Sequence, residues 1–187
     1  MNAQLSVEIT QGTFEPIRLA VPIFSTSSTD AGKLNEQITK VIRSDLESTG
    51  LFKTIAQDDY LETFQSIDTR PRFANWRPLK AAALIQGEFF QGGDGSFEVR
   101  FRLWDIFAEN QMLGHQFRAK TTQWRRVAHI IADKIYERLT GEQGYFDTRI
   151  LYIAESGPAD KRIKRLALMD YDGYNHKFLT DGRATAT

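Results

Sequence analysis

The chain has 187 residues, with 24 Lys+Arg balanced by 24 Asp+Glu, 41% apolar and 26% charged residues, and no cysteine. This excludes a disordered polyelectrolyte, which combines low hydrophobicity with high net charge. It argues against a nucleic-acid binder, which needs surplus cations to displace phosphate counterions. Without cysteine there are no disulfides, no thiolate catalysis and no Cys-ligated zinc. The longest apolar run, Ala81 to Ile85, falls far short of the ~18 residues of a membrane-spanning helix. Residues 1–10 carry no basic segment of a signal peptide. Two compartments therefore stay open: the cytoplasm, or export with a leader that is not part of this sequence.

Gln4-Leu5-Ser6-Val7-Glu8-Ile9-Thr10 alternates polar and apolar residues at period two and predicts a strand. Ile17 to Phe24 predicts a buried strand that stops near Pro22, where a ladder donor is missing. Ser25 to Asp30 supplies candidate helix N-caps. Ala31 to Thr49 predicts a helix, because Leu34, Ile38, Val41, Ile42 and Leu46 fall on one stripe and Gly50 suits the left-handed residue after a helix end. Asp58 to Phe64 suggests a short helix, and Ser66 to Pro78 reads as irregular.

Three strands follow, Ala82 to Gln91, Ser96 to Phe107 and Gln111 to Thr121. The first two are joined through the turn Gly92-Gly93-Asp94-Gly95. In the middle strand Phe97, Val99, Phe101 and Leu103 alternate with Glu98, Arg100 and Arg102, which predicts one buried and one wet face. Gln123 to Leu139 predicts a second helix, with Trp124, Val127, Ile131, Ile135 and Leu139 inward and Gly141 at its end. The fold class expected for residues 1–146 is α/β (α+β): a mixed β-sheet with two amphipathic helices packed on it. From 147 to 187 the pattern becomes a meander of short strands and turns. Such a piece reads as a sheet blade or sandwich, the opening of a larger all-β domain, because so few strands bury little on their own.

A search for chemistry finds no catalytic set. His129 stands four residues before Asp133 on the second helix, and a surface i, i+4 contact is the favoured reading, since no further ligand joins them at metal spacing. His115 is expected to be exposed on a strand, and His176 follows a turn. Asp170-x-Asp172-Gly173-x-Asn175 lacks the ligand spacing of a calcium loop and reads as a β-turn. Gly92 to Gly95 precedes a strand, not the helix N-terminus that would cradle phosphate. Arg125, Arg126, Lys134 and Arg138 interleave with Asp133, Glu137 and Glu142, which reads as a mixed, solvated face. The expectation is a protein without cofactor or metal that works through surfaces. The strand-like arm at residues 1–12, carrying Gln4, Leu5, Ser6, Val7, Glu8 and Ile9, is the candidate for adding to a partner's sheet edge. The alternative is a small cytoplasmic α+β enzyme or ligand-binding module with a pocket under Trp76, Trp104 and the two helices.

Several ordered pieces carry a resemblance. They are Ala20-Val21-Pro22-Ile23-Phe24; Ser44-Asp45-Leu46-Glu47-Ser48-Thr49-Gly50-Leu51-Phe52; Gly87 with the following hairpin and Phe97 to Leu103; and Gln123-Trp124-Arg125-Arg126 with His129, Asp133 and Leu139-Thr140-Gly141. Phe146-x-Thr148-Arg149-Ile150-x-Tyr152 and Asp170-Tyr171-Asp172-Gly173-Tyr174-Asn175 are the most specific. Together they resemble the TolB family, the periplasmic components of the Tol-Pal envelope system of Gram-negative bacteria, across essentially the whole chain. The resemblance implies an N-terminal α/β domain followed by a six-bladed β-propeller, of which the first blade is present at 147–187. It implies a non-enzymatic periplasmic hub whose leader has been removed. The propeller of the family binds the lipoprotein Pal, the N-terminal arm binds the C-terminal domain of TolA, and some colicins exploit the same system. Membrane association is then peripheral and through partners only, nucleic acid has no role, and the incomplete blade is expected to promote self-association of the fragment.

Overall fold

The computed structural model describes residues 15–27, 33–64 and 66–182. The chain forms two compact units, 1–144 and 145–187. The expected strand at residues 4–10 lies outside the described residues, as do positions 28–32 with their candidate N-caps.

In the first unit, β1 (Ile17–Ala20) pairs in parallel with β3 (Phe52–Thr54) and with β4 (Ala83–Gln91), while the short β2 (Ser25–Thr26) also runs parallel to β4. Strands β5 (Ser96–Asp105) and β6 (Asn110–Lys120) continue antiparallel from β4, so the main order is β3-β1-β4-β5-β6. Helix α1 (Leu34–Ser48) is the crossover between β1 and β3 that parallel strands require, and α2 (Trp124–Thr140) follows β6. The architecture is the expected mixed sheet with two amphipathic helices. Ile38, Val41, Ile42 and Leu46 of α1 and Val127, Ile131, Ile135 and Leu139 of α2 are buried, whereas Trp124 is only half-buried. Gly50 and Gly141 end the two helices at φ 71° and 81°, a region only glycine enters without strain.

The β1 segment corrects the sequence expectation. The strand stops at Ala20, four residues before Phe24, yet Val21 and Phe24 are fully buried. Side chains replace the ladder. Val21 N–H donates to the Tyr60 hydroxyl at 3.0 Å, the Val21 carbonyl accepts from Arg43 and Gln57, and Phe24 N–H donates to Thr39 Oγ1 of α1 at 3.1 Å. Buried backbone groups need partners of some kind, and polar side chains serve as well as a neighbouring strand. Burial pushes the Tyr60 phenol above its ordinary pKa.

The sheet has two covered faces. On one, Ile85 and Phe89 of β4 join Phe97, Val99, Phe101 and Leu103 of β5, all buried. Phe24 lies flat over Gly87 here, so close that a Cβ at 87 would sit 2.4 Å from its ring. On the opposite face, Leu84 and Trp104 pack with Ala20, Ile55, Phe73, Trp76, Ala81 and Ile106 in a second core. The cover is the long segment between β3 and β4. The helix expected at Asp58 to Phe64 is reduced to a single 3₁₀ turn at Gln57–Asp59, with another at Phe73–Asn75. Aromatic packing takes the place of helical hydrogen bonding: Tyr60 and Phe64 flank the Trp76 ring at 5.1 and 5.9 Å.

The second unit is a three-stranded antiparallel sheet, β7 (Arg149–Ser156), β8 (Ile163–Asp170) and the two-residue β9 (Lys177–Phe178). Tyr145, Phe146 and Tyr171 cluster their rings within it.

Candidate functional site

The arm residues Gln4, Leu5, Ser6, Val7, Glu8 and Ile9 lie outside the described residues. The other candidates can be placed. His115 is exposed on β6, as expected. The Asp170 to Asn175 segment is a turn. Gly173 N–H donates to the Asp170 carbonyl at 2.9 Å, Tyr174 N–H donates to the Asp172 carboxylate at 3.2 Å, and Gly173 and Asn175 take positive φ. At the β4–β5 hairpin, Gly92 N–H donates to the Ser96 carbonyl at 2.9 Å. The Ser96 hydroxyl, donating to Asp94, holds that carboxyl below its usual range. Both motifs perform turn chemistry with their own side chains.

His129 departs from the sequence expectation. It is not on the surface: it is 2% exposed, and its Nδ1 lies 2.7 Å from Oδ2 of Asp45, itself 1% exposed. The pair ties α1 to α2 across 84 residues of sequence. A signal was present. Asp45 falls on the stripe defined by Leu34, Ile38, Val41 and Ile42, and His129 stands among Val127, Ala128, Ile131 and Ala132. A polar residue inside an apolar stripe must find a buried partner, but the stripe does not say which one. The carboxyl group fixes the imidazole, and the pair locks the two helices in register.

Trp76 and Trp104, the residues expected above a pocket, are both packed into the second core. Trp76 is fully buried in the second core, with its Nε1–H donating to Glu62 at 2.9 Å, and Trp104 donates to Gln86 at 3.0 Å. Both rings fill space. An open groove of 320 Å³ lies elsewhere, beside Arg100 and Arg102 of β5 and Gly114 and Gln116 of β6. No helix among the described residues is long and apolar enough to cross a membrane.

The fold thus defines an α+β domain with a half-parallel, half-antiparallel sheet, joined to a small antiparallel sheet that fits a partial propeller blade. The model of the TolB amino-terminal domain matches residues 5–112. The Tol-Pal system protein TolB of Paramagnetospirillum magneticum is 46% identical over 181 residues, covering 97% of this chain and 40% of that protein. The chain belongs to the TolB amino-terminal domain family. A crystal structure of TolB from Acinetobacter baumannii superposes with a TM-score of 0.72 at 24% identity, over 95% of this chain and 41% of the other, which shows the shared fold. The PelC dodecamer from Paraburkholderia phytofirmans reaches a TM-score of only 0.45 at 14% identity, over 68% of this chain and 90% of the other. The chain spans about two fifths of the length of the TolB relatives it matches.

Proposed function

We propose that this chain serves the Tol-Pal system as a non-enzymatic periplasmic interaction protein. It links the outer-membrane lipoprotein Pal to inner-membrane-anchored TolA, and so maintains outer-membrane integrity and constriction during cell division. The observation that carries the reading is the 46% identity, over nearly the whole chain, to a Tol-Pal system protein. The interior is consistent with it, since Asp45, His129, Gln86 and Glu88, polar groups buried in the first unit, are engaged in holding elements together.

In this reading residues Gln4 to Ile9 pair as a strand with the C-terminal domain of TolA, by backbone hydrogen bonds with alternate side chains in pockets. Pal contacts the propeller that follows residue 146, and some colicins exploit the same system. Pal biases the arm only if it binds the arm's docked and released states with different affinity. Deleting residues 1–12 is expected to abolish binding to the TolA C-terminal domain, measured by calorimetry, and to leave the melting temperature unchanged. Undiminished binding would reject the arm as the TolA site.

The second unit adds a further expectation. Leu151 and Ile153 are 58% and 55% exposed on β7, and Phe178 is 49% exposed on β9. Apolar surface collected on one small sheet drives association, and the sheet edges offer unpaired backbone groups. Light scattering on the 187-residue chain should show a mass that rises with concentration, and the double substitution Leu151→Lys with Ile153→Lys should return it to a monomer. A monomeric parent at all concentrations would contradict this.

A further inference from the structure

Strand β6 closes one side of the first sheet, and among the described residues no strand pairs with its far edge. The register settles which backbone groups face outward there. Thr121 N–H donates to the Gly95 carbonyl at 2.9 Å, and Ser96 stands opposite Lys120. Antiparallel pairs alternate between bonded and non-bonded, so Leu113, His115, Phe117 and Ala119 bond inward to β5. The N–H and C=O groups of Gly114, Gln116, Arg118 and Lys120 therefore point away from the sheet. Met112 belongs to the same outward set, and Arg138 Nε already donates to its carbonyl at 3.2 Å. The available run is Gly114 to Lys120.

The two faces beside this edge differ. On one, Leu113 and Phe117 are half-buried, and Phe117 stacks on Phe101 at 6.4 Å. On the other, Arg100 and Arg102 stand opposite Gln116 and Gly114. Gly114 has no side chain, the space beside it is taken by the flexible end of Gln111, and the 320 Å³ groove that Arg102 also lines opens at this point. Arg102 donates to Asp68 at 2.8 Å, but the Asp68 side chain is 73% exposed. A pair with one partner so exposed contributes little and exchanges readily. Each guanidinium has five donors, more than Asp68 and Glu98 take from Arg102 and Arg100. Arg118, which stands opposite Glu98 and 3.9 Å from the Asp94 carboxylate, and Lys120 lie on the same face.

We propose that β6 and its groove bind an extended acidic peptide from another protein, which adds as a strand along Gly114 to Lys120 and sets a carboxylate beside Arg102 in the gap at Gly114. Alternate side chains of the peptide fall on opposite faces. Apolar residues then lie against Leu113 and Phe117, and acidic residues meet the arginines. The proposal uses residues other than 4–9, so a failure of the arm to bind TolA leaves it standing.

The test is fluorescence anisotropy on the full chain. One labelled eight-residue peptide alternates valine and glutamate, and its counterpart alternates valine and lysine. The glutamate peptide should bind saturably, at least about tenfold tighter than the lysine peptide, a 1.4 kcal/mol difference. Gln116→Pro removes an outward N–H without touching the inward ladder. Gly114→Leu fills the gap, where a Cβ meets chiefly the flexible Gln111 amide, 2.7 Å away. Each should weaken binding at least tenfold with circular dichroism unchanged, and the second variant decides if the first fails to fold. Absent or charge-independent binding would overturn the proposal, as would full affinity in a folded variant. So would amide protection of Gly114 to Lys120 by a second copy of the chain, or by its own residues 1–12, in the absence of peptide.

Discussion

Asp45→Ala is expected to lower the stability of the first unit by about 3–5 kcal/mol, the scale of removing one partner of a buried, directly hydrogen-bonded acid–histidine contact. The carboxylate meets His129 Nδ1 at 2.7 Å with both side chains almost inaccessible. Truncation removes the partner that satisfies the imidazole and leaves a void between α1 and α2. Asp45→Asn keeps the volume and an acceptor oxygen, so its loss should be smaller. His129→Ala should cost about as much as Asp45→Ala. The double variant should fall short of the sum by about 0.5–3 kcal/mol, because groups in direct contact are not additive. Denaturant unfolding followed by tryptophan fluorescence is the measurement. Trp76, Trp104 and Trp124 all belong to residues 1–144, so the signal reports this unit alone. Additive losses in the double variant would show that the two residues act independently.

Trp76→Ala should cost a similar amount, about 3–5 kcal/mol, by a different mechanism. The indole is fully buried between Tyr60 and Phe64. Its N–H donates to Glu62, whose carboxylate also accepts the Arg72 N–H. The segment between β3 and β4 has little regular structure, so the indole substitutes for the missing backbone ladder as its organising contact. Trp76→Phe should lose less, since it keeps much of the packing and gives up the hydrogen bond, worth about 1–3 kcal/mol. Hydrogen exchange would locate the damage: faster exchange at residues 55–81, with α1 and α2 still protected, is the expected pattern. Uniform loss across the unit would mean that this cover and the helical layer unfold together.

Much of the architecture is legible one element at a time. The stripes of α1 and α2, the glycines that end them and the alternation in β5 each appear within a dozen residues, because helix and strand periodicity are local properties. Expectation and structure part where one element depends on another. The run Ala20 to Phe24 reads as a strand by composition. It leaves the ladder because Tyr60, Arg43 and Thr39 arrive from elsewhere to take its backbone groups. Asp58 to Phe64 loses its helix because Tyr60 and Phe64 turn inward against Trp76. His129 looks like a surface residue when its only visible acidic neighbour is Asp133, four positions along the helix.

The sequence by itself determined the α+β class, the two amphipathic helices and the turn chemistry at Gly92 to Gly95 and Asp170 to Asn175. Its residue patterns also pointed to the TolB family. Tertiary structure alone decided that β1 runs parallel between β3 and β4, that Asp45 meets His129, and that the outward backbone of β6 lies beside Arg100 and Arg102. The reason is physical. Periodicity records how a residue faces its own helix axis or strand pleat, whereas partner choice depends on which buried groups satisfy one another across the whole chain.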